Sequence, residues 1–500
     1  MRREAVLLWT AICAWVAGVT AMSILRQDAF NSGRFDMGNM VQAVWATAHG
    51  HFLQVTNLSG EQSSRLGSHF DPILALLAPF WLVWSSPDML VTVQAIAVAL
   101  GALPVFWLAR KHLGSEHAAL GFALAYLLYP ATEWLTLNEF HAVAFACPLL
   151  LYAFWFLDND RLLPFAVCSL GAIASKEEIG LVVAGFGLWY VLSRKRYRAG
   201  GAILAAGIAA SAIAVEVVVP HFSGSASAFY SRYSEVGGSP GGVIKTLFTH
   251  PLRVLGDAFS GGDLHYLGEM IVPLAALMVL SPVLLLAALP EAALNVLSKN
   301  PYQASIHFHY TAGLIAPLMI GAVLGGARLV KKRPRVLPYL GPGMLVLALV
   351  SNYYLGAIPV WASLPLGDTY QRNATHVTAH DRITAHAVSL VPAGAVVSAT
   401  NSLGAHLSAR RRFLSFPRLD DATWVAVDET DGSYLDGHSP YPMALDIAAL
   451  RRDPGWKLVF EQDGVLVFRR VSGRPQAARS AAASYRSSAS PAAARSSGRT

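Results

Sequence analysis

Five hundred residues that are 54% hydrophobic and only 14% charged, with a mean hydropathy of +0.43, exclude a cytosolic enzyme and exclude disorder for all but the chain ends. The apolar residues come in runs near the ~20 residues a helix needs to cross a bilayer, so the chain reads as a polytopic membrane protein. A net charge of +7 and a pI of about 9.3 would suggest nucleic acid as partner of a soluble protein. Here Lys and Arg serve mainly to fix topology, and no nucleic-acid partner is expected.

In chain order, Arg2-Arg3 and the apolar run from Ala5 to Leu25 have the outline of a signal peptide. The run is long and lacks a small-x-small cleavage site, so it is read as an uncleaved first transmembrane helix. Residues 26–71 form a first outer loop, mixed and polar. Apolar runs follow at roughly 89–109, 116–133, 142–157, 162–176, 178–193 and 199–219, with short loops between. Cys13, Cys147 and Cys168 lie inside apolar runs without CxxC spacing, which offers neither a disulfide framework nor a zinc site.

Orientation follows from the basic clusters Arg2-Arg3, Arg110-Lys111, Arg161, Arg194 to Arg198 and Lys331 to Arg335, which stay cytoplasmic. With the N-terminus inside, the first four alternate correctly. The fifth requires three crossings between His265 and Lys331, with a break at Ser281-Pro282. The sum is an all-α polytopic membrane protein of about eleven transmembrane helices, the last at about 336–356, with the C-terminal part outside. The transmembrane domain takes residues 1–360. Residues 361–470 read as a small soluble extracytoplasmic α/β domain, with a helix near 376–390, strands near 395–399 and 423–427, and a hairpin around Asp463-Gly464. Residues 471–500, rich in Ala, Ser and Arg without an acidic residue, read as a disordered tail.

Ionisable residues that topology does not explain fall on the outer side in this threading. They are Arg34, Asp36, His69 and Asp71 in the first outer loop, Glu139 and His141 after the third helix, Lys176-Glu177-Glu178 between the fifth and sixth, His221 after the seventh, and His307, His309 and Tyr310 at the tenth. Charge near the bilayer is costly unless it is paired or lines a wet cavity, so such a gathering marks a functional site. Each element also has a plainer reading. Asp36 could be only the N-cap of an amphipathic helix running to about Ala48, and His69-Phe70-Asp71-Pro72 the start of an interfacial helix. Lys176-Glu177-Glu178 could be a hydrophilic hairpin, and His307-Phe308-His309-Tyr310 an interfacial anchor.

The set Phe35-Asp36-Met37-Gly38, His69-Phe70-Asp71-Pro72, Glu139-Phe140-His141, Lys176-Glu177-Glu178 and His309-Tyr310 resembles an uncharacterised family of predicted bacterial multi-pass membrane proteins, over about residues 1–470. The architecture resembles the GT-C superfamily of integral-membrane glycosyltransferases. That resemblance implies transfer of a sugar from a polyprenyl-phosphate donor to a cell-envelope glycan or protein acceptor, at the outer face of the bacterial plasma membrane. It implies an acidic residue of the first outer loop as general base, and Asp36 is the matching position, although it lacks the acidic neighbour common there. Asp71 could also serve as base. Lys176, Arg34, His307 and His309 are candidates for the leaving phosphate, and His69, Glu139, His141, Glu177, Glu178 and Tyr310 for the rest of the substrate site. A divalent cation, Mg or Mn, is an open question of cofactor, and membrane lipid is a further partner. The competing readings are a transporter or flippase of a lipid-linked saccharide, and a non-catalytic membrane scaffold.

Overall fold

The computed structural model describes residues 2–225, 228–259, 261–365, 370–432, 436 and 442–471. The tail expected beyond Val471 lies outside these residues. Among the described residues, five helical stretches are long and apolar enough to cross a membrane: Arg3–Asp28, Pro87–Leu113, Tyr197–Ser223, His309–Lys332 and Pro334–Leu355. Five shorter apolar stretches, Pro72–Val83, Ala142–Asp158, Leu162–Ile173, Ile179–Arg194 and Pro282–Val296, pack with them. One continuous core joins Leu8, Val98, Phe122, Phe154, Phe186, Leu284 and Ile320 from seven of the helices.

Two of the basic clusters meet at one end of the bundle. Lys111 Nζ and His112 Nε2 lie 2.6 and 2.8 Å from Asp158 Oδ2, Arg194 reaches Asp158 and Asp160, and Arg196 lies 2.9 Å from Asp160. Side chains from four separate helix ends are thereby tied into one network.

Several runs are less regular than their hydropathy suggests. The run expected at 116–133 is two helices, Glu116–Leu127 and Pro130–Leu137, because Pro130 has no N–H to continue the first ladder. The first of the three crossings expected between His265 and Lys331 breaks after the helix Gly261–Ile271. Ala275 and Ala276 adopt left-handed φ values of 54° and 51°, and a 3-10 turn, Leu277–Leu280, follows. Hydropathy cannot see such a break, since alanine reads as a good helix former. The segment between His221 and the eighth crossing carries helices Pro240–Thr249 and Pro251–Ala258, which the sequence reading left unassigned.

The loop after the first span holds a short π-helical turn, Arg34–Gly38, running into the helix Asn39–Ala48, then a two-stranded ribbon of β1 (Gln54–Thr56) and β2 (Gln62–Ser64). Beyond the last span, five strands form one sheet: β3 (Val397–Ala399), β4 (Phe413–Ser415), β5 (Trp424–Asp428), β6 (Trp456–Gln462) and β7 (Val465–Arg470), in the order β4-β3-β5-β7-β6. β3 runs parallel to β4 and β5, while β7 is antiparallel to β5 and β6. Alternation along β5 explains its two covered faces. Val425 and Val427 pack with Ile447 and Leu450 of the helix Met443–Arg452, and Ala426 packs with Ala387 of the helix Ala379–Ser389. Asp463 and Gly464, at φ 51° and 78°, make the two-residue turn between β6 and β7.

Candidate active site

The site starts from a helix that lacks a conventional cap. Gly33 precedes the π-helical turn in an extended conformation and has no side chain to bond the first amides, which a helix start leaves without partners. Glu139 supplies two acceptors from another part of the chain: Gly33 N donates to its Oε1 at 3.1 Å and Met37 N to its Oε2 at 3.0 Å. Asn401 supplies two more, its carbonyl accepting from Arg34 N at 2.9 Å and its Oδ1 from Phe35 N at 3.3 Å.

Glu139 reaches this position through a left-handed backbone at φ 63°, uncommon for a residue with a side chain. Gln94, fully buried in the span Pro87–Leu113, fixes that turn. Its Nε2 donates to the carbonyls of Thr136 and Glu139, both at 2.9 Å, and its Oε1 accepts from His141 N at 2.9 Å.

Between these supports the Asp36 side chain is 57% exposed, with Oδ1 3.7 Å from Nε2 of a His141 that is 5% exposed. The His141 ring stacks on His309 with centroids 3.9 Å apart. Nδ1 and Nε2 of His141 and Nδ1 of His309 are buried without a hydrogen-bond partner. Buried polar atoms left bare in a native fold call for an explanation, and a ligand atom is one.

Loss of hydration against the packed surroundings opposes the charge on Asp36, but the facing His141 imidazole 3.7 Å away, with Arg65 and His69, outweighs it and holds the carboxyl below its usual range. Glu139 shifts the other way, pushed up first by burial and then by the charge on Asp36.

A second polar group adjoins the first. Lys176 Nζ lies 2.6 Å from Glu178 Oε1 and 5.1 Å from the centre of the Tyr310 ring. Glu177 binds His69 Nδ1 at 3.0 Å and accepts from Phe70 N at 3.0 Å, while Arg65 Nε donates to Asp71 Oδ2 at 2.9 Å. Arg232 donates to Tyr310 Oη at 3.4 Å and stacks on Phe229, which itself stacks on His69. The two groups together carry a solvent-open carboxylate, two imidazoles with ring nitrogens free of hydrogen bonds and a paired ammonium.

A family profile described as Predicted membrane protein (DUF2079) matches residues 26–467. The chain belongs to the DUF2079 family. No curated protein sequence matches it. Among solved structures, ArnT from Cupriavidus metallidurans bound to undecaprenyl phosphate aligns with a TM-score of 0.51 at 12% identity, covering 92% of this chain and 98% of that one. The same protein in its apo state aligns at 0.48 and 13% identity, covering 94% and 100%. The DUF2079 chain thus shares its fold with ArnT.

Within this DUF2079 protein, Asp36, His69, Glu139, His141, Lys176, Glu177, Glu178, His309 and Tyr310 come together as described. Three other residues singled out from the sequence sit differently. Arg34 is 2% exposed, and its guanidinium donates to Ser415 Oγ at 2.8 Å, Thr56 O at 2.6 Å and Phe413 O at 3.3 Å. It joins the first loop to the C-terminal domain. Asp71 is 2% exposed and engaged with Arg65, and burial raises its pKa, which leaves Asp36 as the open carboxylate of the pair. His307 packs edge-on against Trp134 with centroids 4.5 Å apart and shares a 3.0 Å hydrogen bond with Ser305 Oγ, apart from the His141–His309 stack. The chain there is a 3-10 turn, His309–Thr311, that leads into the helix Ala312–Lys332 and leaves His307 outside it.

Residues the sequence reading missed also belong here: Gln94, Arg65, Arg232, Asn401 and Glu291. Glu291 is 3% exposed on the helix Pro282–Val296, within electrostatic reach of Lys176, Glu177 and Glu178. A single Glu inside an apolar run was the signal available for it. Arg65 and Arg232 sit in short 3-10 segments, Arg65–Gly67 and Ala228–Val236, with no apolar periodicity to exploit. Among the described residues no three His, Cys, Asp or Glu side chains form a group able to hold a metal ion, so Mg or Mn finds no ready ligand set.

Proposed function

We propose that this chain is a membrane glycosyltransferase that transfers a sugar from a polyprenyl-phosphate donor to an envelope glycan or protein acceptor at the extracytoplasmic face, with Asp36 as general base. Asp36 takes the proton of the acceptor hydroxyl, whose oxygen bonds to the anomeric carbon. The bond from that carbon to the donor phosphate breaks, and its electron pair leaves on the polyprenyl phosphate. Lys176 and the imidazoles of His141 and His309 face the charge that builds on the phosphate, where preset donors do most for the rate. Glu139, with Gln94 behind it, keeps the Asp36 turn in register. His69, Glu177, Glu178 and Tyr310 line the remainder of the substrate site.

The proposal includes a topology of eleven crossings in the bacterial plasma membrane, with the N-terminus cytoplasmic and the sheet domain, residues 361–470, outside. The observation that carries the reading is the exposed Asp36 carboxyl group 3.7 Å from a buried imidazole, beside ring nitrogens that lack hydrogen-bond partners. The fold shared with ArnT, solved with undecaprenyl phosphate, supports a polyprenyl-phosphate lipid as the donor class.

Asp36→Asn is expected to preserve expression and fold while lowering transfer by about two to four orders of magnitude, with the polyprenyl-linked donor accumulating in lipid extracts. Normal transfer in that variant would remove Asp36 from its role. Full activity in a Lys176→Ala/His309→Ala pair would likewise remove the phosphate site.

A lipid-linked saccharide transporter is the second reading, favoured by the buried Glu291 and the broken crossing at Ala275-Ala276, both features of carriers. Transport of intact donor into vesicles by Asp36→Asn at the wild-type rate would favour it.

A further inference from the structure

We propose that Asn401 of the C-terminal domain is a positioning residue for Asp36, so that the base is correctly set only while that domain is docked on the first outer loop. The functional weight of this inference rests on the reading of Asp36 as base; the geometry does not.

The turn that carries Asp36 has its leading amides taken from two sides. Glu139 accepts from Gly33 N and Met37 N, and Asn401 accepts from two of the three amides between, Arg34 N and Phe35 N. The first pair of bonds comes from the membrane body, the second from a residue 366 positions away in sequence from Phe35. Asn401 is itself held, since its N–H donates to Asp436 Oδ1 at 2.7 Å and its carbonyl also accepts from Gly404 N at 3.0 Å.

Its place in the sheet is informative. Asn401 follows β3, whose neighbours β4 and β5 lie on opposite sides, so the chain leaves β3 at the switch point of the parallel part of the sheet. Open α/β sheets receive their ligands in that crevice. Here the backbone of the first outer loop meets it.

The rest of the joint is close and polar. A Cβ on Gly404 would lie 2.2 Å from Arg34 Cβ, so only glycine permits the approach. The Gln42 amide donates to the carbonyls of Arg410 and Arg411, both at 3.1 Å, beside the bonds that Arg34 makes to Phe413 and Ser415. Lifting the domain strips acceptors from two amides next to Asp36 and from a buried guanidinium together, so the joint opens as a unit. Asp36 then loses its fixed distance to His141. A sheet domain that only decorated the membrane body would not need to bond the backbone of the residues flanking Asp36.

Hydrogen exchange of the full chain in detergent tests this directly, read in the peptide 31–40 and in β5. Asn401→Ala is expected to speed exchange in 31–40 about tenfold, leaving β5 as it was, and Asn401→Asp, which retains Oδ1 as acceptor for Phe35 N, to reverse most of the change. With undecaprenyl phosphate as probe, binding to Asn401→Ala stays within about twofold of wild type while turnover in a transfer assay falls about tenfold or more, since loss of alignment lowers kcat before affinity. Unaltered exchange in 31–40 overturns the proposal, and so does a parallel loss of lipid binding with full turnover. Should Asn401→Ala also loosen β5, Gly404→Ala decides the matter on the same two peptides, by wedging the joint at Arg34: faster exchange in 31–40 with β5 unchanged supports the clamp, and unchanged exchange in both overturns it. A wild-type protein that transfers no sugar overturns the glycosyltransferase reading and leaves the exchange result to judge the clamp.

Discussion

Two neighbouring carboxylates meet opposite fates here, and their surroundings decide which. Asp36 is open to water and faced by His141, Arg65 and His69, so it stays ionised. Glu139 is enclosed and faces the charge of Asp36, so its ionisation is opposed. The same reasoning gives a prediction in the C-terminal domain. His380 Nε2 lies 2.9 Å from Asp428 Oδ2 and its Nδ1 3.0 Å from Asp463 Oδ2. Partial burial opposes its charge, but the hydrogen bonds and charges of the two aspartates outweigh it and raise its pKa. A folded value above the unfolded one of about 6.5 means that the stabilisation is complete below about pH 6.5 and disappears as pH rises through the folded value. Thermal unfolding of the sheet domain should therefore move to lower temperature as pH rises from about 6 to 8.5, and His380→Gln should flatten that slope. A slope that persists unchanged in His380→Gln would assign it to another group.

Helix pairs in the bundle are set by small residues, because lipid tails give apolar side chains no reason to prefer protein over membrane. The hairpin of Ile179–Arg194 and Tyr197–Ile213 is a close pair of this kind. A Cβ on Gly180 would meet Gly207 O at 2.5 Å, one on Gly207 would meet Gly180 O at 2.4 Å, and one on Gly187 would meet Leu204 N at 2.5 Å. Lys176, Glu177 and Glu178 sit at the mouth of this hairpin, so its spacing reaches the candidate site. Gly207→Leu should force the helices apart and cost about 1–3 kcal/mol as overpacking does, seen as a lower melting temperature in detergent, whereas Gly201→Ala, whose added methyl meets nothing within 4 Å, should leave it unchanged. Equal melting of Gly207→Leu and wild type would mean that the pair is not packed this closely. At this scale the sequence was readable where a run was regular and opaque where it was not. The apolar runs and Asp463-Gly464 announced their elements, but the break at Ala275-Ala276 and the 3-10 turn at His309 arise from packing against neighbours such as Leu277 on Gly325 and His309 on His141.

For the whole molecule, the basic residues at Lys111, Arg194 and Arg196 meet at one end, and the polar site gathers elsewhere on the bundle. If the first cluster is cytoplasmic, a reporter fused after Gly356 should be active only as a periplasmic enzyme, and a cytoplasmic signal would invert the threading. The amino-acid sequence by itself determined that the chain lives in a membrane, where most helices begin and end, that a small α/β unit follows the last span, and which ionisable residues topology leaves unexplained. Those properties are local sums of hydropathy, charge and turn chemistry. Only the tertiary structure decided that Arg34 joins two parts of the molecule, that Asp71 is engaged with Arg65, and that Gln94, Glu139 and Asn401 hold the turn bearing Asp36. Each depends on contacts that the local pattern around a residue does not encode, most of them between residues tens to hundreds of positions apart, and a contact of that kind leaves no mark on either stretch of sequence alone.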